Sequence, residues 1–177
     1  LLVRVGEIER QSGNLPQSLA RFRRDLEIRE RLRELAGDSA ESLEAIEHSL
    51  LRLIELERTA GEAEAEYEHQ CRLLEVRERL VEVCGESIER LTALSELLVQ
   101  IGSAEVAAGD LSRALDRFRR NVDVHEWLRL LAGDTTESLS AMEASLLALH
   151  ELEQQAGELS GDRARLGQLI EVRERLL

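Results

Sequence analysis

The feature that most constrains this chain is a seven-residue motif that recurs at a constant spacing of 48 residues. The motif reads LEIRERL at Leu26–Leu32, LEVRERL at Leu74–Leu80, VDVHEWL at Val122–Leu128 and IEVRERL at Ile170–Leu176. Similarity at a fixed interval of about 20 to 50 residues is typical of folds in which one structural unit is stacked on copies of itself. The chain is therefore predicted to be a repeat protein.

Glycines at the same interval indicate where the helices of each repeat end. One set comprises Gly13, Gly61, Gly109 and Gly157, and a second set comprises Gly37, Gly85 and Gly133. The segments between the two sets are about 23 residues long and carry apolar residues three and four positions apart, as an amphipathic helix does. Because glycine favours turns, each repeat is predicted to be a hairpin of two antiparallel helices.

We predict a single helical-repeat domain over residues 1–177, divided into a partial repeat at 1–36, complete repeats at 39–84 and 87–132, and a last repeat at 135–177. Second helices are expected at about Leu15–Ala36, Ala63–Cys84, Leu111–Ala132 and from Asp162 onwards. Asp38–Glu41 and Asp134–Glu137 have the form of capping boxes that start first helices. Because apolar leucines occupy both ends of the chain, we expect these residues to be a segment of a longer array or multidomain protein.

A longer period overlies the 48-residue one. Residues 1–81 and 97–177 align without a gap and are identical at 41 of 81 positions. The unit that was duplicated is therefore a pair of hairpins. Residues 96 positions apart are expected to occupy equivalent places.

Charge and hydropathy narrow the classes of partner. The formal net charge is −13, which argues against a nucleic-acid partner because phosphate binding needs a clustered positive face. The basic runs Arg21–Arg24 and Arg117–Arg120 are flanked by acidic residues, and we interpret them as solvated helix faces. No uncharged apolar run approaches the roughly 18 residues of a membrane span, so no membrane partner is expected.

The cysteines and the basic residues indicate a compartment and a source. Cys71 and Cys84 lie in one predicted helix, where thirteen steps separate them by about 20 Å, too far for a disulfide. We interpret them as reduced core cysteines of a cytoplasmic protein. All 23 basic residues are arginine, which is typical of GC-rich bacterial coding sequences.

No constellation of residues points to catalysis, a cofactor or a metal. Paired carboxylates such as Glu55 with Glu57 recur at helical spacing along the whole chain, and we interpret them as solvated faces. The histidines are solitary, lack zinc-ligand spacing and are interpreted as surface residues. They are His48, His69, His125 and His150. The chain is therefore not predicted to be an enzyme.

Trp127 is the most distinctive single residue of the repeat. It stands at the place where the other copies carry Arg31, Arg79 and Arg175. Because protein interfaces favour tryptophan, we consider it a candidate partner anchor. Packing against a neighbouring helix is the alternative.

The stretches Val3–Ile28 and Leu98–Val124 resemble the tetratricopeptide repeat. That family's pattern places a glycine in the first helix, a Gly-Asn or Gly-Asp turn followed by a large apolar residue, and then a small, an aromatic and an aliphatic residue in the second helix. These places hold Gly6, Gly13, Asn14, Leu15, Ser18, Phe22 and Leu26, and then Gly102, Gly109, Asp110, Leu111, Ala114, Phe118 and Val122. The family's repeat is about 34 residues long, so the 48 residues here predict longer helices.

The resemblance implies an all-α solenoid, a right-handed superhelical stack of antiparallel hairpins whose first helices line a binding groove. Carried over by position, this wall comprises His48, Glu55, Arg58, Glu96, Ser103, Glu151, Gln154 and Gln155. Its acidic balance favours a basic or polar partner segment. We therefore predict a scaffold or sensor segment that docks a protein or peptide partner without a cofactor. The alternative is self-association into a homodimer or filament through the open ends of the array.

Overall fold

A computed structural model describes residues 2–157 and 162–176, and this part of the chain is all α-helical. Its helices are α1 Leu2–Gln11, α2 Leu15–Ala36, α3 Ala40–Ala60, α4 Ala63–Cys84, α5 Ile88–Ala107, α6 Leu111–Ala132, α7 Thr136–Ala156 and α8 Asp162–Leu176. The predicted all-α helical repeat is confirmed, and the bounds expected for α2, α4 and α6 agree with the structure. Within residues 2–157 and 162–176, no helix is both long and apolar enough to cross a bilayer.

Five of the described helices, α2, α3, α5, α6 and α7, begin at a residue whose side chain caps the helix, and α2, α3, α4, α6 and α7 end at a glycine. Ser39 has extended backbone, its side chain accepts from the Ser42 N–H, and the Ser42 hydroxyl accepts from the Ser39 N–H in return. The predicted box was therefore placed one residue too early, because Ser39, not Asp38, directly precedes α3 and makes the capping bonds with Ser42. Thr135 and Ser138 form the equivalent box before α7. At the other end of α3, Gly61 takes a φ of 76°, which is strained for residues with a Cβ.

The chain divides into two compact units, Leu1–Gly85 and Glu86–Leu177. In the first unit, α1 packs against α2, α2 against α3, and α3 against α4. Its core includes Leu19, Phe22, Leu26, Leu43, Ile46, Leu50, Leu53, Leu73 and Leu74. In the second unit, α5 to α8 pack in the same serial manner, and the core includes Leu115, Val122, Leu139, Met142, Leu146, Leu149, Leu169 and Val172.

Two glycines inside first helices allow an aromatic ring to approach the backbone. A Cβ built on Gly6 would lie 2.9 Å from Cε2 of Phe22, and one built on Gly102 would lie 2.9 Å from Cε2 of Phe118. Separations below 3.0 Å are not seen for real Cβ atoms. Ser18 tightens the first of these contacts, since its hydroxyl donates to the Gly6 carbonyl at 2.9 Å. The helices of these hairpins therefore pack closely at their glycines.

A polar contact, buried or partly buried, joins consecutive hairpins inside each unit. The Ser49 hydroxyl donates to Asp25 at 2.9 Å, which links α3 to α2. In the second unit, the Asn121 side-chain amide donates to Ser145 at 3.2 Å, which links α6 to α7. Both pairs occupy positions 96 residues apart, as the duplication predicts. Each contact gives a covered side chain a hydrogen bond from the neighbouring hairpin, which lowers the cost of its desolvation.

Candidate interaction surfaces

Most of the predicted wall residues lie exposed on first helices. In the first unit, His48, Glu55 and Arg58 are exposed on α3. In the second unit, the exposed members are Glu96 and Ser103 on α5, and Glu151, Gln154 and Gln155 on α7. Each unit therefore presents its own part of the predicted wall.

The α3 part of the wall combines charge with one exposed aliphatic residue. Arg58 hydrogen-bonds Glu66 at 2.8 Å, and Glu55 lies 3.3 Å from the guanidinium of Arg52. Leu51 lies within this face and exposes 42% of its surface. The face is therefore a polar surface with an apolar contact point, which is the usual composition of a non-obligate interface.

The second unit repeats this arrangement on α5 and α7, which both pack against α6. Val99 is exposed between Glu96 and Ser103. On α7, Leu147 is partly buried against the core. Leu51, Val99 and Leu147 stand 48 residues apart, so each first helix presents an aliphatic residue at the same place in the repeat.

Trp127 belongs to a different helix from the rest of the predicted site. It lies partly exposed on α6, a second helix, and the guanidinium of Arg120 lies 5.0 Å from its ring centroid. This distance is within the range of a cation–π contact. Trp127 is therefore carried by a second helix and not by a first helix, and its role as a partner anchor stays a prediction.

Sequence reasoning missed a set of carboxylates that are buried near the ends of the first helices. Glu57 is fully buried, and Glu105 and Glu153 are buried almost as completely. The interpretation of Glu57 as part of a solvated face is therefore wrong. Glu9 occupies the equivalent place in α1, so the glutamate recurs every 48 residues. That spacing was the available signal, but glutamate is so frequent in this chain that the recurrence does not stand out.

Each of these glutamates meets a cationic or imidazole side chain twelve residues later, on the second helix of its own hairpin. Arg21 lies 3.5 Å from Glu9, Arg117 lies 3.4 Å from Glu105, and Arg165 lies 3.5 Å from Glu153. In the remaining hairpin, His69 Nδ1 lies 2.8 Å from Glu57. A buried carboxylate needs such partners because desolvation of an unpaired charge is costly.

A second arginine reaches two of these glutamates from the preceding hairpin. Arg23 on α2 donates to Glu57 at 2.9 Å, and it also bonds Glu62. Arg119 on α6 lies 3.7 Å from Glu153. Burial lowers the pKa of Arg23, but its bonds to Glu57 and Glu62 outweigh this and raise that pKa overall. The basic runs are thus partly used inside the fold, which corrects their interpretation as solvated faces.

The histidines are less exposed than the sequence predicted. His48 is exposed, whereas His69 and His125 are largely covered. His125 Nε2 lies 3.0 Å from the Ser95 hydroxyl, and burial lowers the pKa of His125. Equivalent positions in two other hairpins hold ion pairs, Arg77 with Glu47 at 2.8 Å and Arg173 with Glu143 at 2.6 Å. The α5–α6 hairpin therefore differs from these two hairpins at both positions. It has a contact between serine and histidine where they have an ion pair between glutamate and arginine.

Each unit carries a hollow, and an open one of about 540 Å³ lies in the first unit beside Gly61–Ala65 and Glu68, where α3 turns into α4. A cavity of about 70 Å³ lies among α6, α7 and α8, lined in part by Arg129, Met142 and Gln168. Trp127 and the histidines do not line it. Among the residues that the structure describes, no group of three or more His, Cys, Asp or Glu side chains is arranged to bind a metal ion. Cys71 and Cys84 are free and half-buried on α4, not fully inside the core.

Comparison with models of protein families and with curated proteins finds no match to this chain. Functional inference therefore depends on its own residues and their geometry.

Proposed function

We propose that this chain is a protein-interaction scaffold, similar in design to a tetratricopeptide array, whose first-helix faces dock an extended peptide or a domain of a partner protein. The proposal assigns no catalytic step and no cofactor. It also assumes that the protein acts in the cytoplasm of a bacterium, because its cysteines are free and all its basic residues are arginine. The hairpins form a rigid support, because buried leucines pack together in the core of each unit.

The observation that carries this proposal is the aliphatic residue that each full first helix presents among polar neighbours. Leu51 and Val99 are exposed, and Leu147 is partly exposed at the same place of the repeat. Acidic residues accompany each of them on the exposed face, namely Glu55, Glu96 and Glu151. A partner that complements these faces would carry aliphatic side chains beside Arg or Lys.

Selection from a random peptide library tests this chemistry without knowledge of the natural partner. We expect the wild-type chain to enrich peptides that combine aliphatic residues with Arg or Lys. Binding of these peptides should fall at least about tenfold in the charge-reversed variant Glu55→Arg, Glu96→Arg and Glu151→Arg, because unlike-charge attraction becomes repulsion. Replacement of Leu51 and Val99 by serine should also weaken binding.

The matched control reverses the same number of charges on exposed carboxylates of second helices, with Glu75→Arg, Glu82→Arg and Glu171→Arg. This variant has the same net charge as the test variant but leaves the first-helix faces intact. Equal binding by both variants would show that only net charge matters and would refute a specific wall. Selection of peptides without aliphatic or basic preference would refute the proposed partner chemistry.

A further inference from the structure

The duplication allows α3 and α7 to be compared residue by residue, because equivalent positions of the two helices are 96 residues apart. Both helices are 21 residues long, and both begin with a capping box. Four leucines of α3 and their four counterparts in α7 are buried and expose 4% or less of their surface: Leu43, Leu50, Leu53 and Leu56, and Leu139, Leu146, Leu149 and Leu152. A difference between the exposed faces of these helices therefore does not follow from a difference in fold.

The exposed faces differ in one direction, which is a loss of charge from α3 to α7. We define the α3 face as Glu44, His48, Leu51, Arg52 and Glu55, and the α7 face as Ser140, Ala144, Leu147, Ala148 and Glu151. Steps of three and four relate the members of each set, so each set lies on one side of its helix. The leucine and the second glutamate are the same in both sets, whereas every other member of the α3 face is replaced by a small, uncharged residue.

The other first helix of the second unit shows much of the same loss. By the 48-residue correspondence, Thr92 and Gln100 of α5 hold the places of Glu44 and Arg52, and both are exposed. Glu96 is the exception, since it holds the place of His48. The faces of α5 and α7 are therefore poorer in charge than the α3 face, although one third of the whole chain is charged.

The charges of the α3 face limit what can cover it. Arg52 lies 3.3 Å from Glu55, and their side chains are 45% and 60% exposed, so this ion pair is solvated. An uncharged segment placed over these groups would desolvate them without offering new partners, which is unfavourable. The α7 face has one charged member, Glu151, so an aliphatic segment can cover the rest of it without this penalty. The cores of protein interfaces are depleted in charged residues in the same way.

We propose that the α3 face and the α7 face recognise different partner chemistry. The α7 face binds an aliphatic segment of the partner protein whose only charge is one Arg or Lys residue, placed opposite Glu151. The α3 face binds a segment with several charges of both signs, which complement Glu44, Arg52 and Glu55. This inference rests on the proposed function, because it divides the first-helix faces of one scaffold between two specificities.

The duplication supplies reciprocal variants for the test. The α3-exchange variant, Glu44→Ser, His48→Ala and Arg52→Ala, gives α3 the residues of α7. The α7-exchange variant, Ser140→Glu, Ala144→His and Ala148→Arg, does the reverse. Each variant removes or adds one carboxylate and one guanidinium, so the formal net charge stays at −13. All six positions are exposed or partly exposed, so circular dichroism and thermal unfolding should stay close to the wild type.

The probes are peptides selected on the wild-type chain from a random library, and their binding is measured by fluorescence anisotropy. Each titration is made at about 0.1 M and about 1 M salt, between which the Debye length falls from about 10 Å to about 3 Å. We expect one group of peptides that keeps its affinity at high salt and loses at least about tenfold in the α7-exchange variant. A second group should weaken at high salt and lose at least about tenfold in the α3-exchange variant.

A gain of binding distinguishes recognition from damage to the fold. The α3-exchange variant carries two faces of the α7 type, so it should bind two peptides of the salt-insensitive group per chain, where the wild type binds one. An unchanged stoichiometry would show that the exchanged residues do not determine which segment binds, and would overturn the proposal.

Other results separate failure of this inference from failure of the proposed function. Peptides that respond alike to both exchanges, but still lose binding in the Glu55, Glu96 and Glu151 charge-reversed variant, would show a single specificity. That result would overturn the division between the faces and leave the proposed function in place. If the selection enriched no peptide, or if the charge-reversed variant bound all of them as the wild type does, the proposed function would fail and the division would fail with it.

Discussion

Two glycines of the second unit allow the destabilisation by overpacking to be measured apart from the low helix propensity of glycine. They are Gly102 in α5 and Gly167 in α8. Both lie inside helices, where alanine is favoured over glycine by about 1 kcal/mol. A Cβ at Gly102 would collide with the ring of Phe118, whereas a Cβ at Gly167 would have no heavy atom within 4 Å. The same substitution therefore meets opposite surroundings.

We predict that Gly102→Ala lowers the free energy of unfolding by about 1–2 kcal/mol, because overpacking outweighs the gain in helix propensity. Gly167→Ala should raise it by up to about 1 kcal/mol. Urea unfolding followed by circular dichroism measures both changes. In a Phe118→Leu background the cost of Gly102→Ala should shrink, and an undiminished cost would show that the ring is not the obstacle.

His125 gives stability a dependence on pH. Burial lowers the pKa of His125 below its ordinary value of 6.5, so the unfolded chain binds a proton more readily than the folded one does. Its contribution to stability is complete above about pH 6.5 and is lost as pH falls through the lower, folded-state pKa. We predict that the free energy of unfolding declines less between pH 7.5 and 5 in His125→Gln than in the wild type.

The exposed His48 is the control for this comparison. His48→Gln is the matched substitution, because it replaces a histidine that lies exposed on the folded chain. Parallel profiles for His125→Gln and the wild type would contradict the assignment of this dependence to His125.

At the scale of the helices, local sequence was sufficient to place the elements but not their polar contacts. The bounds of α2, α4 and α6 were predictable because each ends at a glycine of positive φ, such as Gly37 and Gly85, and begins after a glycine turn. The burial of Glu57 was not predictable, because its neighbour Glu55 has the same side chain and lies exposed. Which of the two is buried depends on Arg23 and His69, which come from two other helices.

The same distinction applies to the candidate sites. The exposure of His48, Glu55 and Glu96 could be predicted from helical periodicity, because each lies opposite the apolar face of its helix. The cover over His69 and His125 could not, because their partners Glu57 and Ser95 come from other helices. Whether such a residue is buried depends on which side chains of the neighbouring helices lie against it. The periodicity of a single helix does not give this information.

Glu57 is a fully buried polar link between helices of the first unit, because it contacts Arg23 on α2 and His69 on α4. We predict that Glu57→Gln lowers the free energy of unfolding by about 2–3 kcal/mol, because it removes a buried charge that satisfies Arg23 and His69. The loss is smaller than the about 3–5 kcal/mol of a fully buried pair because Arg23 is partly exposed and can be hydrated. Chemical denaturation provides the measurement.

Glu55→Gln is the matched control, since Glu55 is exposed and lies two residues away on the same helix. Its expected effect is below about 0.5 kcal/mol, as for other solvated ion pairs. If both variants lost the same stability, the contacts of Glu57 with Arg23 and His69 would not be the cause.

For the molecule as a whole, the decisive property is that helices pack serially inside each unit. Core residues of the second unit, including Leu115, Val122, Leu139, Leu146 and Val172, pack against one another within residues 86–177. Repeat proteins of this kind owe their stability to the units and to the contacts between adjacent elements. A fragment that begins between two hairpins should therefore keep its hydrophobic core. A fragment that begins inside a hairpin should expose apolar core residues to solvent.

We predict that a fragment of residues 86–177 is monomeric and helical and unfolds cooperatively, because it retains α5, which buries Leu91, Leu94, Leu98 and Ile101. A fragment of residues 110–177 lacks that helix, so the side of α6 that packs against α5, where His125 bonds Ser95, becomes exposed. This shorter fragment should lose most of its helicity or aggregate, since a hairpin without its first helix cannot bury its apolar face. Circular dichroism and sedimentation of the two fragments test this expectation. Comparable helicity per residue in both fragments would show that the hairpin is not the unit of stability, and that serial packing does not govern how this chain folds.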